Sequence, residues 1–190
     1  MKLEANEVKA PQAEASARAP RPGLSLKGRA LRYLSAREHS RAELMTKLLP
    51  HARAAGEDEQ AVARVLDELA AKGFISEARV AESVLHRRAG RLGNARVLQE
   101  LRAKGLSDDI VRDAAEQLQS TEEARAYAVW ARKFGRPPAD AAERARQMRF
   151  MASRGFSGAS VQRVMRRARD EAQLGDAPLA VSSQDEFDDD

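Results

Sequence analysis

The chain has 190 residues and is 43% hydrophobic but only 4% aromatic, a balance that argues against a single thick core. It has no Cys, which excludes a disulfide framework and any thiolate metal or redox chemistry. The net charge of +4 is unevenly spread: residues 176–190 carry six acids and no base, residues 1–23 carry four bases and three acids, and residues 24–175 keep 29 bases against 20 acids, or +9. A body of that sign attracts polyanions or an acidic protein groove, and the acidic end could compete for the same surface.

Residues 1–23 hold Pro11, Pro20 and Pro22 with no sustained apolar period, and are expected to form a disordered arm. Helical segments follow, rich in Ala, Arg, Leu and Glu, which lose little side-chain freedom in a helix. Leu26, Ala30, Leu31 and Leu34 mark the first. Ser40 with Glu43 three residues on is a capping box for the second, which carries Leu44 and Leu48, with Pro50 and Gly56 as punctuation after it. The third carries Val62, Val65, Leu66 and Leu69 and ends at Gly73.

The same count repeats twice. Ser76 opens a helix through Val80, Val84 and Leu85; Gly93 and Asn94 precede one through Val97, Leu98 and Leu101 that stops at Gly105; Ser107 caps one through Ile110, Val111 and Leu118. Thr121 and Glu122 begin a helix with Tyr127, Trp130, Ala131 and Phe134, broken at Gly135, Pro137 and Pro138. Helices over 139–153 and 158–172 close the series.

The expected fold is therefore all-α: three tandem three-helix repeats over 24–73, 74–119 and 120–172, stacked as an elongated, curved array. The N-terminal arm (1–23) and an acidic C-terminal tail (173–190) are expected to be disordered. Identity between triplets is weak. Lys72-Gly73-Phe74, Lys104-Gly105-Leu106 and Arg154-Gly155-Phe156 recur, but the first follows a third helix and the others follow second helices.

Catalytic chemistry finds no footing in the sequence. His39, His51 and His86 lack HxxxH or HExxH spacing, and no phosphate loop, dinucleotide fingerprint or nucleophile elbow is present. No cofactor or metal is expected. The pairs Asp67-Glu68 and Glu122-Glu123 read as solvated face or first-turn complements to helix dipoles. Tyr127, Trp130 and Phe134 read as core. No apolar stretch nears the roughly 18 residues that would span a bilayer, and residues 1–22 lack the apolar region of a secretory signal. A soluble, cytoplasmic, monomeric protein is expected.

The informative feature is basic. Between Arg144 and Arg169 lie eight Arg and no acid. Val161, Val164, Met165 and Ala168 form the apolar stripe of the last helix, which groups Arg163, Arg166 and Arg167 on another face, where they are expected to carry no structural duty. A second cluster, Arg87, Arg88, Arg91, Arg96, Arg102 and Lys104, is opposed within its stretch only by Glu100. Guanidinium forks suit phosphates and carboxylates alike, so the candidate contact set is Arg87, Arg88, Arg91, Arg96, Arg144, Arg146, Arg149, Arg163, Arg166 and Arg167. The plain alternative is a solvated Arg-rich surface.

Arg37-Glu38-His39-Ser40-Arg41-Ala42-Glu43-Leu44, Val65-Leu66-Asp67-Glu68-Leu69 and Gly73-Phe74-Ile75-Ser76-Glu77-Ala78-Arg79-Val80 together resemble the RecX family. Arg96, Glu100-Leu101, Lys104-Gly105, Lys133-Phe134-Gly135, Arg144-Ala145-Arg146-Gln147 and Arg154-Gly155-Phe156 continue the likeness in order through about residue 170. Val80 stands where the family usually has Phe, and Gly93-Asn94 where it has Gly-Pro, both packing or capping positions. The resemblance implies three tandem three-helix repeats, no catalytic residues, and a regulator that binds the groove of the RecA–DNA filament. It would limit filament growth and suppress ATP hydrolysis, strand exchange and coprotease activity in recombination, repair and the SOS response. The competing reading is a helical module that binds DNA directly; it lacks a recognition helix set to read base edges, although weak DNA affinity fits either.

Overall fold

The computed structural model describes residues 23–175, and every regular element among them is a helix. In order they are α1 (Leu26–Ala36), α2 (Arg41–Ala54), α3 (Glu59–Ala71), α4 (Glu77–Arg88), α5 (Asn94–Ala103), α6 (Asp108–Gln119), α7 (Glu122–Lys133), α8 (Ala141–Ser153) and α9 (Gly158–Gly175). The expected disordered arm, and the acidic tail from residue 176 onward, lie outside the described residues.

Local chemistry sets most helix ends. Ser25, Ser40, Asp58, Ser76 and Asp140 each accept a backbone N–H of the first turn, and Ser40 with Glu43 forms the full capping box. The three Gly-apolar motifs are one device. In each, the apolar N–H bonds the third-last helical carbonyl and the glycine N–H the next: Phe74 to Leu69 and Gly73 to Ala70, Leu106 to Leu101 and Gly105 to Arg102, Phe156 to Met151 and Gly155 to Ala152. The glycines hold φ of 73°, 71° and 85°, which a side chain would resist.

Three details depart from the sequence pattern. Helix α2 runs through Pro50 to Ala54 where punctuation was expected. Pro50 is exposed and its missing N–H costs one helical bond, but stopping there would withdraw the fully buried Ala52 from the core. Ser107 precedes α6 without capping it; its N–H and hydroxyl both go to Glu77, the first residue of α4. Helix α9 continues to Gly175, past residue 172.

Apolar stripes gather the helices into three triplets with separate cores. The first centres on Leu44, Leu48, Leu66 and Leu69, the second on Val84, Val97, Leu101 and Leu118, the third on Trp130, Met151, Phe156 and Val164. Trp130 is buried and donates to Gln147 Oε1 at 2.7 Å, so the aromatic strip packs inward. Val80 is also core.

The triplets join through their second helices, tail to head. The C-terminal end of α8 meets the start of α5, where Gly93 N donates to Arg154 O at 2.9 Å and Ala95 N to Gly155 O at 3.2 Å. The C-terminal end of α5 meets the start of α2, where Ser40 Oγ donates to Lys104 O at 2.6 Å. Both joints set the negative end of one helix dipole against the positive end of the next. Among the described residues, no hydrogen bond or ion pair links the first triplet to the third.

Candidate anion-binding surface

The joint between α8 and α5 brings the two basic clusters together. Arg96, in the first turn of α5, donates from Nε to Ser153 O at 3.3 Å at the end of α8. Arg154 reaches back to Arg91 O at 3.4 Å, and its guanidinium lies 4.5 Å over the Phe150 ring. Its Nε is buried without a hydrogen-bond partner. Arg154 belongs to the run of eight but was outside the expected contact set. Its position at a helix end that docks on another triplet could not be read from the run itself.

The other expected residues divide by partner. Arg87 Nε folds back onto Ser83 O at 3.0 Å, and Arg88 pairs with Glu100 at 3.0 Å. Arg146 pairs with Glu143 at 3.3 Å. Arg91, Arg144, Arg149 and Arg166 are exposed and make no ion pair among the described residues.

The grouping of Arg163, Arg166 and Arg167 as equivalent surface charges does not hold. Arg163 on α9 pairs with Glu123 on α7 at 2.5 Å. Arg167 pairs with Glu171 at 2.8 Å and stacks 3.9 Å from the centroid of the Tyr127 ring, whose hydroxyl also donates to Glu171. Lying off the apolar stripe does not free a long side chain from the neighbouring helix, so two of the three hold α9 to α7.

Glu122 and Arg125 form a node that the sequence did not disclose. Glu122, only 3% exposed, accepts from Asn94 N at 3.3 Å, Ser157 Oγ at 2.7 Å, Ser157 N at 3.3 Å and Ser160 Oγ at 2.8 Å. Burial works against its charge, but the Ser157, Ser160 and backbone donors outweigh burial and hold the carboxyl below its usual range. One carboxylate thus serves the starts of α5 and α9. Three residues on, Arg125 donates to Ala89 O, Leu92 O and Leu118 O at 2.9–3.0 Å, near the ends of α4 and α6. The first turn of α7 therefore offers an acid to two helix starts and a base to two helix ends. Glu122 is no solvated partner of Glu123. A repeated signal did exist: Glu77 opens α4 and receives Ser107 as Glu122 opens α7 and receives Ser157.

These contacts leave a chemically simple surface. Among the described residues there is no group of three or more His, Cys, Asp or Glu that could hold a metal ion, and no helix long and apolar enough to cross a membrane. What remains is a set of guanidinium groups without an ion pair among the described residues, on two joined triplets, suited to phosphate or carboxylate oxygens.

Comparison with known proteins places these features. The family profile described as RecX, second three-helix domain, matches residues 76–114, and the RecX third three-helix domain matches residues 121–165. The Regulatory protein RecX of Ralstonia nicotianae is 54% identical over 160 residues, covering 84% of this chain and 98% of the relative. The protein of the same name from Leptothrix cholodnii is 57% identical over 148 residues, covering 78% and 92%. The crystal structure of RecX from Lactobacillus salivarius shares the fold with a TM-score of 0.62 at 19% identity, over 76% of this chain and 94% of that one.

Proposed function

From the fact that the chain belongs to the RecX family of regulatory proteins, we propose that it binds the RecA–DNA filament and lowers RecA activity. The activities lowered are ATP hydrolysis, strand exchange and coprotease action in recombination, repair and the SOS response. The chain works without a catalytic site of its own, as a monomer in the cytoplasm. The observation that carries the reading is the set of arginines without an ion pair among the described residues, Arg91, Arg144, Arg149 and Arg166, presented by two triplets that the α8–α5 joint connects. A filament repeats along its length, and several modest contacts spaced on one chain engage a repeating partner together, with an effective concentration that a single contact lacks.

The second reading, direct DNA binding, uses the same arginines and differs in what else is needed. Binding to bare DNA and to RecA-coated DNA, measured side by side, separates the two. The filament reading expects tighter binding to the coated DNA and a fall in RecA's DNA-dependent ATP turnover and strand exchange. Equal affinity for both substrates, with RecA turnover unchanged at saturating protein, would favour the DNA module. Replacing Arg91, Arg144, Arg149 and Arg166 with Ala should weaken filament binding most at low salt, where screening is least.

A further inference from the structure

A pocket of about 450 Å³ lies in the third triplet between the α7–α8 connection and α9. Pro137 and Pro138 form one wall, Met165 another, and Arg144 and Arg169 stand at its edges. Neither arginine makes an ion pair among the described residues. Asp140, which also lines the pocket, is committed to capping α8 through Glu143 N at 2.7 Å. The site thus combines an apolar wall with two guanidinium groups against the single carboxylate of Asp140, whose charge faces the α8 start, and it fits an aromatic side chain flanked by carboxylates.

The chain carries such a segment itself. Residues 185–190 read Asp-Glu-Phe-Asp-Asp-Asp, one aromatic set between two and three acids, in a stretch from 176 onward that has no base. We propose that this pocket is the seat of the chain's own acidic end, with Phe187 between the prolines and Met165, and with Asp185, Glu186 and Asp188 against Arg144 and Arg169.

Reach and charge both support an intramolecular contact. Arg169 precedes the end of α9 at Gly175 by six residues, about 9 Å of helix. Any chain of twelve residues, the number from 176 to 187, would span about 19 Å root-mean-square if unstructured and near 40 Å if fully extended, more than the return requires. At such tether lengths the effective concentration is on the order of millimolar, so even a weak contact is well populated. An external polyanion or acidic partner must then displace the tail to reach Arg144. The proposal stands independently of which partner that is.

The absence of Cys makes the test clean. A nitroxide on Ser183→Cys in the full-length ¹⁵N-labelled chain should strip most of the intensity from amides around 138–145 and 165–170, with little loss around 87–96. High salt, where the Debye length falls to about 3 Å at 1 M, should restore it. Phe187→Ala should also restore it, as should Arg144→Ala with Arg169→Ala, with unchanged amide dispersion elsewhere reporting an intact fold. Three outcomes would overturn the proposal: broadening spread evenly over the surface, broadening centred on Arg87–Arg96, or broadening that persists when the label and the ¹⁵N are on separate copies, which would make the occupant a second molecule.

Discussion

The two joints occupy equivalent places between successive second helices, yet they are made of different materials. Between α8 and α5 two backbone–backbone bonds close the contact beside the side-chain bonds of Arg96, Arg154, Glu122 and Arg125, and Gly93 sits so close that an added Cβ would lie 2.2 Å from the carbonyl of Gly155 and the N of Phe156. Between α5 and α2 the bonds come from side chains: the Ser40 hydroxyl on Lys104 O, and Glu43 shared by Lys104 at 2.8 Å and Arg37 at 3.0 Å. The corresponding first-turn residue at the other joint is Arg96, which faces a second arginine, Arg154, across the helix ends. A joint closed by glycine and by backbone bonds keeps its fit when its charged contacts are screened; a joint with no backbone–backbone bond across it among the described residues rests on side chains, and so answers to pH and salt. The first triplet is therefore the adjustable one.

The largest effect that would break this contrast is Gly93→Ala. Its Cβ meets backbone and cannot be accommodated by a rotamer change, so the α8–α5 joint must open and lose its paired bonds. A cost of roughly 2–4 kcal/mol is expected, read as a fall in thermal midpoint. Gly90→Ala, where nothing lies within 4 Å of the added Cβ, should change little.

Next is Glu122→Ala, which leaves Ser160 Oγ, Ser157 and Asn94 N without their acceptor in a buried setting. Roughly 2–3 kcal/mol should be lost. Because α5 and α9 share this cap, amide exchange should quicken at the starts of both helices together. Exchange confined to α9 would show that the carboxylate does not bridge the triplets.

A smaller and pH-dependent effect belongs to the other joint. Burial opposes the charge of Glu43, but hydrogen bonds from Arg37, Lys104 and Ser40 N bring its carboxyl down from 4.5 to about 2. A pKa depressed in the folded state stabilises above the unfolded value, so the contribution is present above about 4.5 and lost as pH falls toward about 2. At neutral pH Glu43→Gln should cost about 1–2 kcal/mol. Denaturant midpoints of wild type and variant should converge as pH drops through that window. A constant gap down to pH 2 would remove charge from the account of this joint.

The smallest expected effect distinguishes arginines that look alike in sequence. Arg163→Ala should cost about 0.2–1 kcal/mol through its lost bridge to Glu123, whereas Arg166→Ala should be silent in stability and act on partner binding alone. Equal thermal midpoints for the two variants would restore the reading of that face as uniformly free.

Helices and their stops were legible because their causes are local: a capping box within four residues, or a glycine after the last turn. The repeat count followed from the same punctuation. Glu122 was not legible, since its partners lie 28 to 38 residues away and beside Glu123 it looks like an ordinary first-turn acid. The arginines were legible as a class but not as individuals, because pairing depends on which carboxylate a neighbouring helix presents. Phe74 shows the same limit: it repeats the motif of the buried Leu106 and Phe156 yet is 48% exposed, since it follows a third helix and Ile75 fills the core in its place.

The central contrast is tested most directly by distances between spin labels across each joint. With no native Cys, Thr46→Cys with Gln99→Cys spans the α5–α2 joint, and Gln99→Cys with Ala152→Cys spans the α8–α5 joint, all at exposed positions. On raising salt to about 1 M, where charges are screened within about 3 Å, the first distance distribution should broaden while the second keeps its width. Equal broadening at both joints, or broadening at the α8–α5 joint alone, would contradict the claim that the backbone bonds, present at one joint only, set its resistance to salt.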